Sequence, residues 1–178
     1  MSGELINRLN ENGEVIGITD KTLAHRMGIW HNAIHVWLIN SKNEVLLQKR
    51  NSVKTFYPNY WDASFGAHIG VYESSEECIV RKCSEELGYR VKSSNVDLVF
   101  SYQEQVVYHD MKNNEFVDVY IVRDDISIRQ LTPQDFEVSN VKFLPLNTLL
   151  NMMRNNDPLL FPHKLEYQFL INYFKKFI

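Results

Sequence analysis

The stretch SSEECIVRKCSEELG, residues 74–88, constrains this chain more than any other segment. Ser74 or Ser75 can cap a helix, Glu76 and Glu77 fill its first turn with negative charge, and Gly88 supplies a stop. Ile79, Cys83 and Leu87 recur at four-residue steps, so one stripe of that helix must find a core. On a wheel of about 100° per residue, Glu85 lies about 60° to one side of Lys82 and Glu86 about 40° to the other. Adjacent carboxylates gathered at the edge of a core stripe repel one another unless a cation binds, and hard oxygen ligands suit Mg²⁺ or Mn²⁺. The competing reading is a solvated acidic face.

The elements around this helix are strands before it and strands, then helices, after it. Asn12-Gly13 sits between two short alternating runs and predicts a hairpin over about 4–18. TLAHRMGIWHN reads as a loop or a short helical turn. AIHVWLIN and EVLLQKR read as strands around the turn Ser41-Lys42-Asn43, NSVKTFYPNY as a loop, and WDASFGAH as a short strand entering the compact loop IGVY. NVDLVFSYQEQVVYH and EFVDVYIVRD predict two strands around a turn at Asp110–Asn114, followed by a strand in VSNVKFLPL. NTLLNMMRN and HKLEYQFLINYFKKF predict closing helices over about 147–177, the second strongly amphipathic. That order predicts an α/β (α+β) sandwich, a mixed sheet between helices, in a single domain over 1–178.

Composition narrows the partners. With 44% apolar and 23% charged residues the chain has the mix of a globular protein, and Lys+Arg 19 against Asp+Glu 22 leaves a net charge of −3. A sequence pI near 6.1 gives no electrostatic reason to expect nucleic acid. No apolar run approaches the roughly 20 residues that span a bilayer, and MSGELINRLNENGE lacks an apolar signal core. Cys78 and Cys83, five apart on a helix, point about 140° from each other and cannot pair. Two unpaired thiols suit a reducing compartment, so a cytoplasmic location is expected.

Laid on AHIGVYESSEECIVRKCSEELGY, the chain resembles the Nudix family, whose box reads G-x5-E-x7-R-E-U-x-E-E-x-G-U with U aliphatic. Glu73, Arg81, Glu85, Glu86 and Gly88 match. Ala67 replaces the first glycine, Lys82 replaces the glutamate after the arginine, and Cys83 and Tyr89 stand in for aliphatics. The resemblance spans roughly residues 4–175, with the box over 67–89. AHRMGIWHNAIHVWLIN, VLLQKR, YPNYWDASFGAHI, NNEFVDVYIV and EVSNVKFLPL are similar to the subgroup related to isopentenyl-diphosphate isomerase.

The resemblance implies a Nudix fold and Mg²⁺- or Mn²⁺-dependent hydrolysis of a diphosphate linkage, with a nucleoside diphosphate derivative as the default substrate. It implies Glu85, Glu86, Glu73 and Arg81 as the catalytic set. Glu86, Glu85 and the backbone carbonyl of Ala67 would be metal ligands, and Glu73 and Arg81 would form an ion pair that fixes the loop. A further carboxylate completes such a site; Glu115 is the first candidate, with Asp118 and Glu104 behind it and Glu137 read as structural. Glu115 and Asp118, three apart on a strand, face opposite sides. His25, His31 and His68 are similar to the three histidines that hold a second metal in the isomerase subgroup, although His25 and His31 stand one residue closer than expected there. The isomerase thiol has no counterpart, because Gly66 occupies its position, so isomerisation is disfavoured. Lys82 raises an alternative: a binding module that keeps the pocket with little or no turnover. His35, Trp30, Trp37 and Trp61 read as packed residues. The implied partner is a small-molecule diphosphate, with neither nucleic acid nor membrane, and a homodimer is left open.

Overall fold

A computed structural model describes residues 3–176, so residue 177 of the expected last helix lies outside the described residues. The N-terminal hairpin joins β1 (Leu5–Leu9) to β2 (Val15–Asp20). The helix α1 (Lys21–Met27) follows, fastened by the Asp20 carboxylate, which accepts from the Thr22 and Leu23 amides. Gly28, at φ 66°, ends it in the left-handed conformation.

The central strand β3 (His31–Ile39) runs parallel to β8 (Met111–Arg123) and antiparallel to β6 (Phe65–His68). β8 also pairs with β7 (Val96–Tyr108) through a two-residue turn with His109 at φ 55°. The turn expected at Asp110–Asn114 is therefore shorter, and Met111–Asn114 belong to β8. Polar side chains there concealed the strand, since ladder bonds use backbone and tolerate Lys112 and Asn113. The segment WDASFGAH forms two strands, β5 (Trp61–Asp62) and β6, because Ala63 and Ser64 turn the chain between β4 (Glu44–Arg50) and β3. The Ser64 hydroxyl bridges them, donating to the Leu46 carbonyl and accepting from the Leu38 amide. β9 (Val138–Pro145) closes the other edge of β4.

β3 and β4 pair only at Ile39 and Val45 and then separate, each taking its own further partners. The sheet thus opens into a cleft, and the candidate site lies there. Helices cover both faces. On one side, Ile34, Val36, Leu38, Leu46 and Phe65 pack against Cys78, Ile79, Cys83 and Leu87 of α2 (Ser75–Leu87). On the other, Trp37, Ile39, Val45 and Leu47 pack against α3 (Leu146–Arg154) and α4 (Lys164–Phe174). Alternate residues of β3 enter both cores, which is why AIHVWLIN is apolar on both faces. α4 departs from the expected strong amphipathicity. It buries Glu166 with Tyr167, Leu170 and Phe174, while Leu165 and Phe169 stay 43% and 38% exposed. Among the described residues no helix is long and apolar enough to cross a membrane.

Candidate functional site

The cleft has a volume of about 220 Å³ and draws on eight elements and loops. α1 supplies Lys21 and His25, one helical turn apart and both facing it. β4 and the loop after it add Arg50 and Lys54, and α2 adds Lys82 and Glu86. Four cations therefore ring a cleft in a chain of net charge −3.

Deeper in, His25, His31 and His68 converge. His31 and Glu115 are direct neighbours in the parallel β3–β8 ladder, and β6 brings His68 opposite Ala33. His31 Nδ1 lies 2.8 Å from the Ile29 carbonyl oxygen, which can only accept, so that nitrogen carries the proton. Its Nε2 then turns a lone pair inward, and this buried atom makes no hydrogen bond. His25 Nε2 and His68 Nε2 are 3.3 Å apart, and His68 Nε2 lies 3.1 Å from Glu115 Oε1. Burial, and then the neighbouring imidazoles of His68 and His31, push His25 down to about 3. Burial also lowers His68, although Glu115 opposes it. Nitrogen lone pairs that converge on one point beside a carboxylate, with an orphaned buried atom among them, fit a divalent cation.

The loop–helix segment is built on a staple. Glu73 accepts two 2.6 Å hydrogen bonds from Arg81 Nε and Nη2, and one from the Gly70 amide at 2.9 Å. Ser74 is the N-cap, forming a capping box with Glu77, and Gly88 ends α2 at φ 64°. Glu86 is 4% exposed and faces the cleft, where burial raises its carboxyl despite the fields of Lys54 and Lys82. Glu85 does not join it: its side chain is 46% exposed and bridges Lys82 at 3.2 Å and Arg81 at 3.4 Å. The structure thus brings Glu86, Ala67, Glu115, His25 and His68 to one cleft, sets His31 in the wall behind them, and leaves Glu85, Glu73 and Arg81 outside it. Asp118 points to the other face, accepting from Ser101, and Glu137 pairs with Lys54 at the rim.

Beyond Glu115 lies a second buried assembly. Glu166 accepts from His35 Nδ1 at 2.6 Å, Trp37 Nε1 at 2.7 Å and the Tyr102 hydroxyl at 2.7 Å. His163 lies between Glu104 and Asp62, at 2.9 Å and 3.1 Å, and Arg50 also bonds Asp62, at 3.0 Å. His163 is held well above the usual imidazole range because Glu104 and Asp62 outweigh its burial, and His35 is raised because Glu166 does the same.

The NUDIX domain profile matches residues 30–163. The chain belongs to the Nudix family. It is 33% identical over 169 residues to Nudix hydrolase 3 of Arabidopsis thaliana, which takes in 92% of this chain and 22% of that protein. This Nudix chain therefore spans about a fifth of that relative's length. It is 28% identical over 155 residues to the isopentenyl-diphosphate Delta-isomerase of Klebsiella pneumoniae (strain 342), covering 86% of this chain and 82% of the isomerase. The crystal structure of DR0079 from Deinococcus radiodurans superposes with a TM-score of 0.71 at 20% identity, over 93% of this chain and 98% of that one, and shares the fold.

Within this Nudix frame, sequence reasoning missed His35, Asp62, His163 and Glu166 as residues of the cleft and its floor. The signal for Glu166 was present: a lone carboxylate on the apolar stripe of α4, three positions after a histidine. Asp62, His163 and Glu104 come from three separate elements, and no spacing announces their meeting. His35 was legible only as a buried strand residue. That is half its role, since it is 8% exposed and lines the cleft.

Proposed function

We propose that the protein hydrolyses a small molecule at a diphosphate linkage with the aid of a divalent cation, Mg²⁺ or Mn²⁺. One observation carries this reading: Glu86, Glu115, His25 and His68, with His31 buried directly behind them, share a cleft with Lys21, Arg50, Lys54 and Lys82. Glu86 and the Ala67 carbonyl would hold the hydrolytic metal, and His25, His31, His68 and Glu115 a second one. Bound cations neutralise phosphate oxygens and activate a water for attack on phosphorus. The chain's own part is positional. The lysines at the rim and Arg50 grip phosphate oxygens, Arg81 and Glu73 keep the loop rigid beneath them, and Glu115, 3.1 Å from His68 Nε2, would share the second metal with that imidazole. The diphosphate sits among these cations inside the cleft, and the rest of the substrate lies toward the mouth. Gly66 supplies no thiol, which speaks against isomerisation. The ion pair of Lys82 with Glu85 favours a second reading, a ligand-binding protein of weak turnover.

The test is Glu86→Gln, assayed for phosphate release over a set of diphosphate compounds. Loss of most metal-dependent turnover, with the melting temperature kept, supports the reading. Wild-type turnover in the variant at limiting Mg²⁺ removes Glu86 from the site. A parent that binds diphosphates without releasing phosphate favours the binding reading.

A further inference from the structure

The two groups of buried histidines differ in what their nitrogens face. In the His25–His31–His68 group the nitrogens face each other and share one carboxylate oxygen, Glu115 Oε1, at 3.1 Å from His68 Nε2 and 3.5 Å from His31 Nε2. In the His35–His163 group three ring nitrogens meet carboxylates: His35 Nδ1 on Glu166, and His163 Nδ1 and Nε2 on Glu104 and Asp62. Three ring nitrogens that each have a carboxylate of their own at 2.6–3.1 Å are satisfied by a proton in each gap, whereas three histidines sharing one carboxylate are not. The charges agree. Asp62, Glu104 and Glu166 are balanced by Arg50 and two imidazoliums, and no other cation is bonded to these carboxylates among the described residues. The remaining partners, Tyr102, Trp37 and the Ala63 backbone amide, are neutral donors.

His35 is the member that reaches the cleft. With Nδ1 bound to Glu166, its Nε2 makes no protein hydrogen bond among the described residues, and the ring lines the cavity. Gly66 lies opposite His35 in the β3–β6 ladder. A β-carbon there would stand 3.2 Å from His35 Cδ2 and 3.7 Å from Nε2, against the ring and beside that nitrogen. The backbone of Gly66 is not left-handed, so the glycine is not required by conformation. The bare position leaves the face of His35 open.

We propose that His35 is a substrate-contacting donor: an imidazolium fixed by Glu166 that presents Nε2–H past Gly66 to an anionic oxygen of the bound diphosphate. This rests on the diphosphate reading above and adds to it a recognition point on the floor, independent of the lysine rim. Glu166, Tyr102, Trp37 and the Asp62–His163–Glu104 group act as positioning residues. They hold the ring at one angle and keep its charge. Glu104 and Glu115 each keep a carboxylate oxygen within 4.8 Å of a His35 ring nitrogen, so these are the negative groups that an anion approaching Nε2 meets.

The experiment measures binding of inorganic pyrophosphate, with Mg²⁺, to the full chain and to Lys54→Met, His35→Asn and Gly66→Ala, alongside ¹⁵N-imidazole spectra of the parent. Both ring nitrogens of His35 and His163 should be protonated at neutral pH, and pyrophosphate should move the Nε2 signal of His35 but not the signals of His163. His35→Asn should weaken binding about tenfold or more, the scale of a hydrogen bond to a charged group. Gly66→Ala should weaken binding while both His35 nitrogens stay protonated, which covers the case in which His35→Asn fails to fold. Binding that depends on Lys54 but is indifferent to Gly66→Ala, with an unmoved His35 signal, overturns this proposal and leaves the diphosphate reading standing. A parent that binds no pyrophosphate with Mg²⁺ overturns both. Loss of the His35 Nδ1 proton on adding Zn²⁺ would make this group a metal site and also overturns the proposal.

Discussion

A buried carboxylate persists only if both its oxygens are hydrogen-bonded, and Glu166, with no solvent exposure, meets that condition through His35, Trp37 and Tyr102. Removing its charge strands an imidazolium in the core, an error that costs about 3 kcal/mol or more. Glu166→Gln should therefore lower stability by about that amount, measured by denaturant unfolding. The difference should follow pH in a definite way. His35 is raised in the folded state from its ordinary 6.5, so its share is complete below that value and is lost as pH rises through the raised one. Glu166 is lowered from its ordinary 4.5, so its share is complete above that value and is lost as pH falls through the lowered one. Parent and variant should differ most between 4.5 and 6.5 and converge on either side. A difference that is flat with pH would mean that Glu166 holds hydrogen bonds but no charged partner.

At the scale of elements, the loop and α2 act as one piece because Arg81 clamps Glu73 with two bonds and Glu73 clamps the Gly70 amide. Lysine keeps the charge and loses the fork. Arg81→Lys should lower stability by about 1 kcal/mol, given that Arg81 is more than a third exposed, and should lower metal affinity as the loop loosens. Urea titration and Mn²⁺ titration check the two halves separately; unchanged metal affinity would confine the clamp to stability. This element was also the most legible in the sequence. Its cap, its stop, its stripe and its ion pair are all local, within residues 73–88, so spacing on a helix exposes them. Lys82 was legible as a departure, but not that it would draw Glu85 outward and leave Glu86 to face the cleft alone. That depends on which side Lys54 and β4 approach from. The extra turn of strand in β8 was hidden for a similar reason: Lys112–Asn114 carry no apolar alternation, and only the register with β7 makes them a strand. The histidine–carboxylate floor was least legible, since a residue pattern reports neighbours along the chain and the imidazole–carboxylate bonds of this group span 59 to 131 positions.

At the scale of the whole molecule, the cleft exists because β3 and β4 part below Ile39 and Val45, and the helix layers keep the two halves from closing. The cleft binds its floor from distant chain: Glu166 reaches back 131 positions to His35 and 64 to Tyr102, and His163 reaches 101 back to Asp62. The order of folding follows from that reach. α2 and the β7–β8 hairpin can form from local contacts, whereas closing loops this long costs entropy before any contact repays it. The floor should be absent from the rate-limiting transition state and should form after it, as α4 docks. Stopped-flow chevrons of Glu166→Gln should accordingly show unfolding accelerated by most of the stability lost and refolding almost unchanged. A refolding limb slowed by the full amount would place α4 in the nucleus instead. On the expected order, every newly made molecule passes through a stage in which the outer wall of the cleft is finished while three carboxylates and two imidazoles are still wet. The last event of its maturation is the expulsion of water from beneath His35.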